Sequence, residues 1–343
     1  MRVQEGAIRQ VRVAEDGEVR VDEVPLPSPQ DGEVLVHTTR VGICGSDLHV
    51  LHGTHPFRRP PYFPGHEAVG VVEWPPGVKG LKVGDRVVVE PNLVCWKCKK
   101  CLVGRYNICE NLRVFGFGTP GALADAFVIR GDRLHKVPEA ILDTEAALVE
   151  PVAAAVHARR LANDLRDKRV LVLGGGTMGL LTLVLAKLAG AMQVVVTDLL
   201  TNKRAIAQRL GADAVLDGKD PNLIEKAVEI SGGGADVVFD CVASVDTIDQ
   251  GWRAAAKGAT VIVIGLSSGR LAVPMPLVQD RELRIQGSMM FADEDFKAAL
   301  SLVAEGKIPS NEIATTVLPL KDAAQAFQLA SESTHVKVQI RVS

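Results

Sequence analysis

The segment Val170-Leu-Val-Leu-Gly-Gly-Gly-Thr-Met-Gly179 decides how the second half of the chain folds. An apolar run at residues 170–173 leads directly into glycines, and a second apolar run at 180–188 follows them. Glycines at such a junction allow a tight turn and close packing of a helix on a strand. The segment therefore predicts a strand, a turn and a helix that begin a doubly wound parallel sheet.

Further apolar runs follow this segment and alternate with helical stretches. They lie at residues 194–197, 236–240 and 261–264. Alternation of this kind is typical of the α/β class. We therefore predict a Rossmann domain, a doubly wound parallel sheet that binds a dinucleotide, over residues 151–285.

The glycine motif also predicts the ligand of this domain. A G-x-G-x-x-G pattern after a strand places the N–H groups of a helix N-terminus at the pyrophosphate of a dinucleotide. Asp198 ends the next strand, near the roughly 20-residue offset at which an acid contacts the ribose hydroxyls. Because this carboxylate would repel a 2′-phosphate, we expect NAD rather than NADP. The predicted cofactor residues are Gly174, Gly176, Thr177, Met178, Gly179 and Asp198, with Lys203 as a further ribose contact or a solvated helix charge.

Residues 1–150 have a different sequence pattern from the segment that follows them. Short β-rich runs, such as 33–38 and 86–90, are separated by Gly and Pro. This spacing predicts a compact, mostly β domain. The last segment, 286–343, holds a predicted helix at 293–306 and an alternating tail at 336–342. Because it is too small to fold alone, we expect it to complete the first domain.

Composition limits the classes of partner. A length of 343 residues exceeds the usual size of one hydrophobic core, which favours two domains. Lys and Arg number 39 against 41 Asp and Glu, and no basic block predicts nucleic-acid binding. No apolar leader or membrane span is present in the sequence pattern. Six cysteines without an export signal predict a reducing compartment, so we expect a cytoplasmic protein.

Four of those cysteines, Cys95, Cys98, Cys101 and Cys109, lie within fifteen residues. Two-residue gaps let successive sulfurs converge on one tetrahedral zinc ion. Two disulfides are the alternative, but cysteines in C-x-x-C rarely reach relaxed disulfide geometry. Because four thiolates leave no open coordination position, the predicted zinc of this lobe (95–109) is structural.

Two upstream motifs complete a resemblance to a known family. They are Gly42-Ile-Cys-Gly-Ser-Asp-Leu-His49 and Gly65-His-Glu67. Together with Gly84-Asp-Arg-Val87, Glu150-Pro151, the cysteine lobe and the glycine motif, they make the chain resemble the zinc-containing medium-chain alcohol dehydrogenases, most closely the sorbitol dehydrogenase branch. The resemblance implies a GroES-like catalytic domain beside the Rossmann domain, with the active site in the cleft between them.

The resemblance also implies a catalytic zinc ion bound by Cys44, His66 and Glu67. Glu150 stands where other alcohol dehydrogenases carry a cysteine, and the polyol branch has this glutamate, so both glutamates are candidate ligands. Such a set leaves a position for water or a substrate oxygen. The ion would then act as a Lewis acid that lowers the pKa of the alcohol.

Three residues beside Cys44 resemble the proton-handling residues of the family. By resemblance, Ser46 is the relay hydroxyl and His49 passes the proton to solvent through the cofactor ribose. Asp47 matches the acid that orients His66, although capping of a helix near Leu48 is an equally compatible role. An imidazole suits proton transfer because its pKa lies near neutrality.

These motifs predict NAD-dependent interconversion of a secondary alcohol, a polyol or related small hydroxy compound, and its ketone. Amino-alcohol oxidation like that of threonine dehydrogenase and a non-catalytic NAD-binding role are the alternatives. Family resemblance implies a homotetramer or homodimer.

The resemblance is weaker at the residues that contact the substrate. Sorbitol dehydrogenases carry a Tyr at the position of Val50 and an Arg near Met290, and apolar residues there predict a pocket less suited to a long, heavily hydroxylated chain. The loop 52–59 adds Arg58 and Arg59, which fits either an acidic substrate or a solvated turn.

Overall fold

The computed structural model describes residues 6–74, 77–267 and 269–343. The chain divides into two compact units: unit 1 is Met1–Glu150 with Ala292–Ser343, and unit 2 is Pro151–Phe291. Unit 1 is therefore built from two separate stretches of sequence. Unit 2 extends beyond the predicted boundary at 285, because a strand at 284–287 joins its sheet.

The strands account for most of unit 1 and for the centre of unit 2. They are β1 (Ala7–Val13), β2 (Val19–Pro25), β3 (Glu33–Gly42), β4 (Glu67–Trp74), β5 (Arg86–Val89), β6 (Asn92–Leu93), β7 (Arg113–Val114), β8 (Ala126–Arg130), β9 (Leu134–Lys136), β10 (Arg169–Leu173), β11 (Gln193–Asp198), β12 (Ala214–Asp217), β13 (Ala235–Asp240), β14 (Ala255–Val263), β15 (Arg284–Gly287), β16 (Thr316–Pro319) and β17 (Val338–Arg341).

The helices concentrate in unit 2 and in the returning segment of unit 1. They are α1 (Gly45–Leu51), α2 (Lys99–Leu102), α3 (Asp143–Ala146), α4 (Val149–Leu161), α5 (Thr177–Leu188), α6 (Thr201–Arg209), α7 (Leu223–Ile230), α8 (Val245–Ala254), α9 (Met275–Asp280), α10 (Asp293–Ala304), α11 (Ser310–Ile313) and α12 (Ala323–Ser331). Short 3₁₀ turns lie at Tyr106–Ile108, Gly131–Arg133 and Leu320–Asp322. No helix in the described parts of the chain is long and apolar enough to span a bilayer.

Unit 2 is built on a parallel sheet in the order β12-β11-β10-β13-β14-β15. This order confirms the predicted doubly wound α/β fold. The strand order reverses between β10 and β13, and a dinucleotide binds at such a reversal, beyond the carboxyl ends of the strands. Strands β10, β11 and β13 match the predicted apolar runs, whereas β14 begins earlier than predicted, at Ala255.

The turn between β10 and α5 depends on two glycines. Gly174 has φ +94, a left-handed conformation that side chains disfavour. A Cβ on Gly179 would overlap the carbonyl oxygen of Gly174, so α5 packs directly on the strand end. The interior residues of α5, from Leu180 to Ala186, are buried accordingly.

Unit 1 is built on a larger, mostly antiparallel sheet. Its order is β16-β17-β3-β4-β5-β9, and β8 also pairs with β3. The returning segment places β17 antiparallel to β3, so residues from the far end of the chain lie inside the sheet. Aliphatic side chains of both stretches, among them Val36, Val41 and Ile340, form one buried core.

We expect Gly179→Ala to destabilise the protein by about 3 kcal/mol, because neither the added methyl group nor the Gly174 backbone can move freely. Gly176→Ala is the matched control. Gly176 has φ −74 and no atom within 4 Å of the Cβ position, so its substitution should cost less than about 1 kcal/mol. Denaturant unfolding measures both variants. Equal stability of the two would contradict the packing argument.

Candidate active site

The turn that carries Cys44 is held by its own hydrogen bonds. Cys44 is the N-cap of α1, and Asp47, in the first turn, accepts a hydrogen bond from the Cys44 N–H at 2.9 Å. The Tyr62 hydroxyl donates to the other Asp47 oxygen at 2.8 Å. The helix therefore begins at Gly45 rather than near Leu48. The Asp47 carboxylate caps its first turn by accepting from the Cys44 N–H.

The second segment, at Gly65 and His66, approaches neighbouring backbone closely. Gly65 has φ +111, and a Cβ there would overlap the Leu123 backbone nitrogen. This packing fixes the start of β4, where His66 and Glu67 are both buried. The sulfur of Cys44, a ring nitrogen of His66 and a carboxylate oxygen of Glu67 lie within 4.8 Å of one another.

Glu67 has a cationic partner that the sequence analysis did not identify. The buried Lys337 ammonium donates to both Glu67 oxygens, at 2.7 and 2.8 Å, and to the Ile43 carbonyl at 3.1 Å. Gly42 leaves the space for this carboxylate, since a Cβ there would overlap Glu67 Oε2. A single lysine in an alternating tail carries no sequence signal for such a role.

Further acidic groups surround His66. Glu150 is buried, outside the Cys44–His66–Glu67 group, and burial raises its pKa to about 7. Burial also raises the pKa of Asp47. The Nδ1 atom of His66 lies 3.8 Å from Asp47 Oδ1, and it has no hydrogen-bond partner within the described residues. A partly exposed thiol, a buried imidazole with an unpaired ring nitrogen and buried carboxylates are a donor set that fits a zinc ion.

The remaining residues of the Cys44 motif lie on α1. Ser46 and His49 are three residues apart, which places them on one side of the helix, and both are partly exposed. Burial, with His52 adding to it, lowers the pKa of His49. Val50 is fully buried in the core of unit 1.

The four-cysteine lobe has the dimensions of a tetrathiolate metal site. The Sγ–Sγ distances are 3.5 Å for Cys98–Cys101 and Cys95–Cys109, 3.9 Å for Cys98–Cys109 and 4.0 Å for Cys95–Cys101. Four sulfurs at about 2.3 Å from a central zinc would stand about 3.8 Å apart. Disulfide bonds are much shorter, and all four cysteines are free.

The cysteine thiols of the lobe differ in pKa. Backbone N–H groups, chiefly that of Lys97, lower the pKa of Cys95 to about 6, whereas burial raises the pKa of Cys101 to about 12. Neighbouring sulfurs cannot all be thiolates unless a cation balances their charge. The lobe therefore also fits a metal ion by its chemistry.

A carboxylate that the sequence analysis did not single out anchors the lobe to the sheet. Buried Glu90 accepts hydrogen bonds from the Tyr106 hydroxyl at 2.6 Å and from Arg133 at 2.8 Å. Its other oxygen lies 2.9 Å from the His135 ring. Glu90, His135 and Asp293 are also close enough together to form a metal-binding group. The Arg133 cation already balances Glu90, so we interpret this group as a structural ion-pair network.

In unit 2, Asp198 lies where the glycine motif predicts the ribose-binding acid. Its carboxylate accepts from the Gly175 N–H at 2.7 Å and the Leu200 N–H at 2.8 Å. Arg204 donates to the Asp198 carbonyl at 2.7 Å and pairs with Asp217 at 3.0 Å. Arg204 is thus engaged in holding the loop together.

The other predicted cofactor residues surround the same strand end. Thr177 and Met178 form the first turn of α5 after Gly176, and each is partly exposed. The Cβ of Lys203, on α6, lies 3.5 Å from the Cβ position of Gly175. These positions line the carboxyl end of β10, where N–H groups of the helix can donate hydrogen bonds to phosphate oxygens.

Across the strand-order reversal from β10, the loop that follows β13 forms the opposite wall of the predicted dinucleotide site. Asp240 accepts hydrogen bonds from the Val242 N–H at 3.0 Å and the Ala243 N–H at 2.8 Å. Ala243 has φ +58, and Val242 Cγ2 lies 2.5 Å from the Cβ position of Gly174. The sequence gives no motif for this wall, because its residues are ordinary apolar ones placed by the sheet.

Comparisons with known proteins agree with this arrangement. The family model of the alcohol dehydrogenase GroES-like domain matches residues 30–139, and that of the zinc-binding dehydrogenases matches 177–305. D-xylulose reductase A of Aspergillus oryzae is 33% identical over 94% of this chain and 93% of its own length. Sorbitol dehydrogenase of Ovis aries is 33% identical over 95% of this chain and 94% of its own.

A solved structure from Sinorhizobium meliloti 1021, described as a zinc-binding dehydrogenase bound to NADP, is 31% identical to this chain. It has a TM-score of 0.91 and covers 98% of this chain and 100% of its own. The matches extend over both units, and they confirm the predicted combination of a GroES-like and a Rossmann-like domain. The chain therefore belongs to the zinc-dependent medium-chain alcohol dehydrogenase family, whose members are enzymes that oxidise or reduce alcohol and polyol substrates.

Proposed function

We propose that this protein uses NAD to interconvert a secondary hydroxyl group of a small polyol-like compound and the corresponding ketone. The observation that carries the proposal is the group of Cys44, His66 and Glu67, with Ser46 and His49 on the adjoining helix. The names of the xylulose reductase and sorbitol dehydrogenase relatives support a polyol substrate.

Cys44 and His66, with a carboxylate from Glu67 or Glu150, would hold the catalytic zinc. When bound, zinc supplies Lewis acidity that lowers the pKa of the substrate hydroxyl, so that its carbon can release hydride to the nicotinamide. Lys337 balances the charge of Glu67, which keeps the total charge of the site low. The four lobe cysteines would hold a second, structural zinc.

Proton release from the substrate would use Ser46 and His49. The Thr54 hydroxyl donates to the His49 carbonyl at 3.3 Å and lies 3.0 Å from His49 Nδ1. When Thr54 donates to the carbonyl, its oxygen can accept from Nδ1–H, and in that tautomer His49 Nε2 keeps its lone pair. Nε2 is then the base that takes the proton relayed by the Ser46 hydroxyl.

For the cofactor, we infer a preference for NAD over NADP. Both Asp198 oxygens face backbone N–H groups, and each retains a lone pair for a ribose hydroxyl. Arg204 is occupied by Asp217 and a carbonyl group, so it is not positioned to bind a 2′-phosphate. The related structure with bound NADP makes this preference a point for direct measurement.

We also infer that the protein forms a homodimer or homotetramer. Strand β15 is one of the two edge strands of the parallel sheet, and all four of its residues are exposed. Exposed apolar side chains, Val273, Met275 and Ile285, lie in the same part of unit 2. An unpaired edge strand can pair with its own copy around a two-fold axis.

From the state of the cysteines we infer a reducing compartment, the cytoplasm. All six are free thiols, and four of them are arranged to bind metal as thiolates. Thiolate metal sites persist where disulfide formation is suppressed.

We expect the purified protein to carry two zinc ions per chain and to form NADH with at least one secondary alcohol. A panel of polyols, inositols, 2,3-butanediol and threonine tests the reaction, and turnover of threonine alone would favour the amino-alcohol alternative. Cys44→Ser should abolish turnover while leaving a folded protein that binds NADH, because its zinc is needed only for chemistry.

Cys98→Ser is the matched comparison. Loss of the lobe zinc should lower the midpoint of thermal unfolding, since a structural zinc contributes folding free energy. Zinc analysis and thermal unfolding are measured on both variants. If both lose folding equally, the division between catalytic and structural zinc is wrong.

We expect His49→Gln to slow alcohol oxidation by roughly tenfold or more at mildly acidic pH. The pKa of His49 is lowered by burial, so the wild-type imidazole stays neutral to a lower pH than a free imidazole does, where little hydroxide is present to replace it. The deficit should shrink as the pH rises and should be partly rescued by added buffer base. An unaltered pH profile of kcat would remove His49 from proton transfer.

We expect the wild-type protein to prefer NAD over NADP by roughly a hundredfold or more in kcat/KM, because Asp198 would face a dianionic phosphate and lose its ribose partners. Asp198→Ala should reduce that ratio mainly by raising the KM for NAD. Steady-state kinetics with both cofactors measure it. Equal or better use of NADP by the wild type would refute the assignment.

A further inference from the structure

We infer that the substrate carries a carboxylate group, which Arg58 binds while the reacting hydroxyl lies at Cys44 and His66. The substrate class is then a hydroxy acid, a polyol chain with one oxidised end. This inference rests on the proposed function and narrows its substrate. Hydride leaves the secondary carbon for NAD, the hydroxyl proton is released, and the carboxylate is unchanged.

A row of three rings connects the metal-binding group to the loop at 52–59. The Phe117 ring lies 5.8 Å from the His66 ring and 4.9 Å from the His55 ring, measured between centroids. The two imidazoles are thus separated by the width of one phenyl ring. A short carbon chain lying along the Phe117 ring could reach the metal-binding group with its hydroxyl and the loop with its carboxylate.

The Arg58 guanidinium lies near the residue that follows Phe117. Its Nη2 atom is 3.5 Å from the position that a Cβ on Gly118 would take. Arg58 is partly exposed, and no carboxylate in the described parts of the chain pairs with it. A partly desolvated arginine without an acidic partner favours a bound anion, and its planar fork matches the two oxygens of a carboxylate.

His55 positions the backbone that carries Arg58. This buried imidazole accepts hydrogen bonds at Nδ1 from the Phe57 and Arg58 N–H groups, both at 3.1 Å. Arg59 donates to the His55 carbonyl. Because Nδ1 accepts these two hydrogen bonds, the ring proton of neutral His55 is on Nε2, which can donate a hydrogen bond.

The groups that act on His55 disfavour its protonation. Burial, with a smaller contribution from the neighbouring basic groups His49, Arg58 and Arg59, lowers its pKa to about 4. The guanidinium groups of Arg58 and Arg59 at this end favour an anionic group of a ligand over a cationic one. An amino-alcohol with a free ammonium is therefore a poor match for this end of the site.

The test uses the zinc-loaded enzyme with NAD and matched pairs of probes: D-gluconate with D-sorbitol, D-galactonate with galactitol, and D-xylonate with xylitol. Each is measured as a substrate and as a competitive inhibitor of 2,3-butanediol oxidation. At low ionic strength, we expect at least one acid to bind roughly tenfold more tightly than its polyol. Added salt should weaken the acid selectively.

Arg58→Gln should reduce the preference for the acid over its polyol by roughly tenfold, the effect of one charge-assisted hydrogen bond. Arg58→Lys should restore part of it, since the charge remains and the fork is lost. Arg166→Gln is the matched control: Arg166 is exposed and pairs with Asp164, so this variant should keep the wild-type preference. His55→Ala should lower the preference, and His55→Asn, which keeps an acceptor, should recover it.

If 2,3-butanediol or a polyol is oxidised but no acid binds more tightly than its partner, the inference is overturned and the proposed function stands. An Arg58→Gln variant that weakens acids and polyols equally also overturns it. Tighter binding of D-sorbitol 6-phosphate than of every acid would show that the anion is a phosphate and overturn the carboxylate assignment. If no secondary alcohol is oxidised, the proposed function fails, and this inference fails with it.

Discussion

The metal-binding group of unit 1 depends on the buried ion pair between Lys337 and Glu67. Two charges removed from water are tolerated only where their geometry is good and other polar atoms are satisfied. Lys337 meets both conditions, since it contacts both Glu67 oxygens and the Ile43 carbonyl. Removal of either partner would leave an isolated buried charge, at a typical cost of about 3–5 kcal/mol. The Ile43 N–H in turn donates to the Val338 carbonyl, so β17 also holds the turn before Cys44.

The two predicted zinc sites are assembled in opposite ways. The lobe collects its four sulfurs from fifteen consecutive residues, so its spacing alone predicts a closed tetrahedral site. The site at Cys44 and His66 needs three glycines without room for a Cβ, at 42, 65 and 116, and a lysine from the far end of the chain. The first arrangement is local and visible in the sequence, whereas the second requires the folded sheet.

This contrast explains what could be predicted from the sequence. The doubly wound sheet, the glycine turn and the cysteine cluster follow from local spacing, and the structure or the comparisons confirm the fold they predicted. Lys337 was missed because its partner lies 270 residues away, and Glu90 because its donors are scattered over three segments.

The discontinuity of unit 1 imposes an order on folding during synthesis. Unit 2 is one continuous stretch, 151–291, and it can form as soon as the ribosome has released it. Unit 1 cannot, because β17 lies between β16 and β3 inside its sheet. Until the final residues emerge, one edge of β3 and the carboxylate of Glu67 lack their partners, and exposed strand edges favour aggregation. The nascent chain therefore passes through a stage with one finished unit and one open sheet, where a chaperone would have its greatest effect.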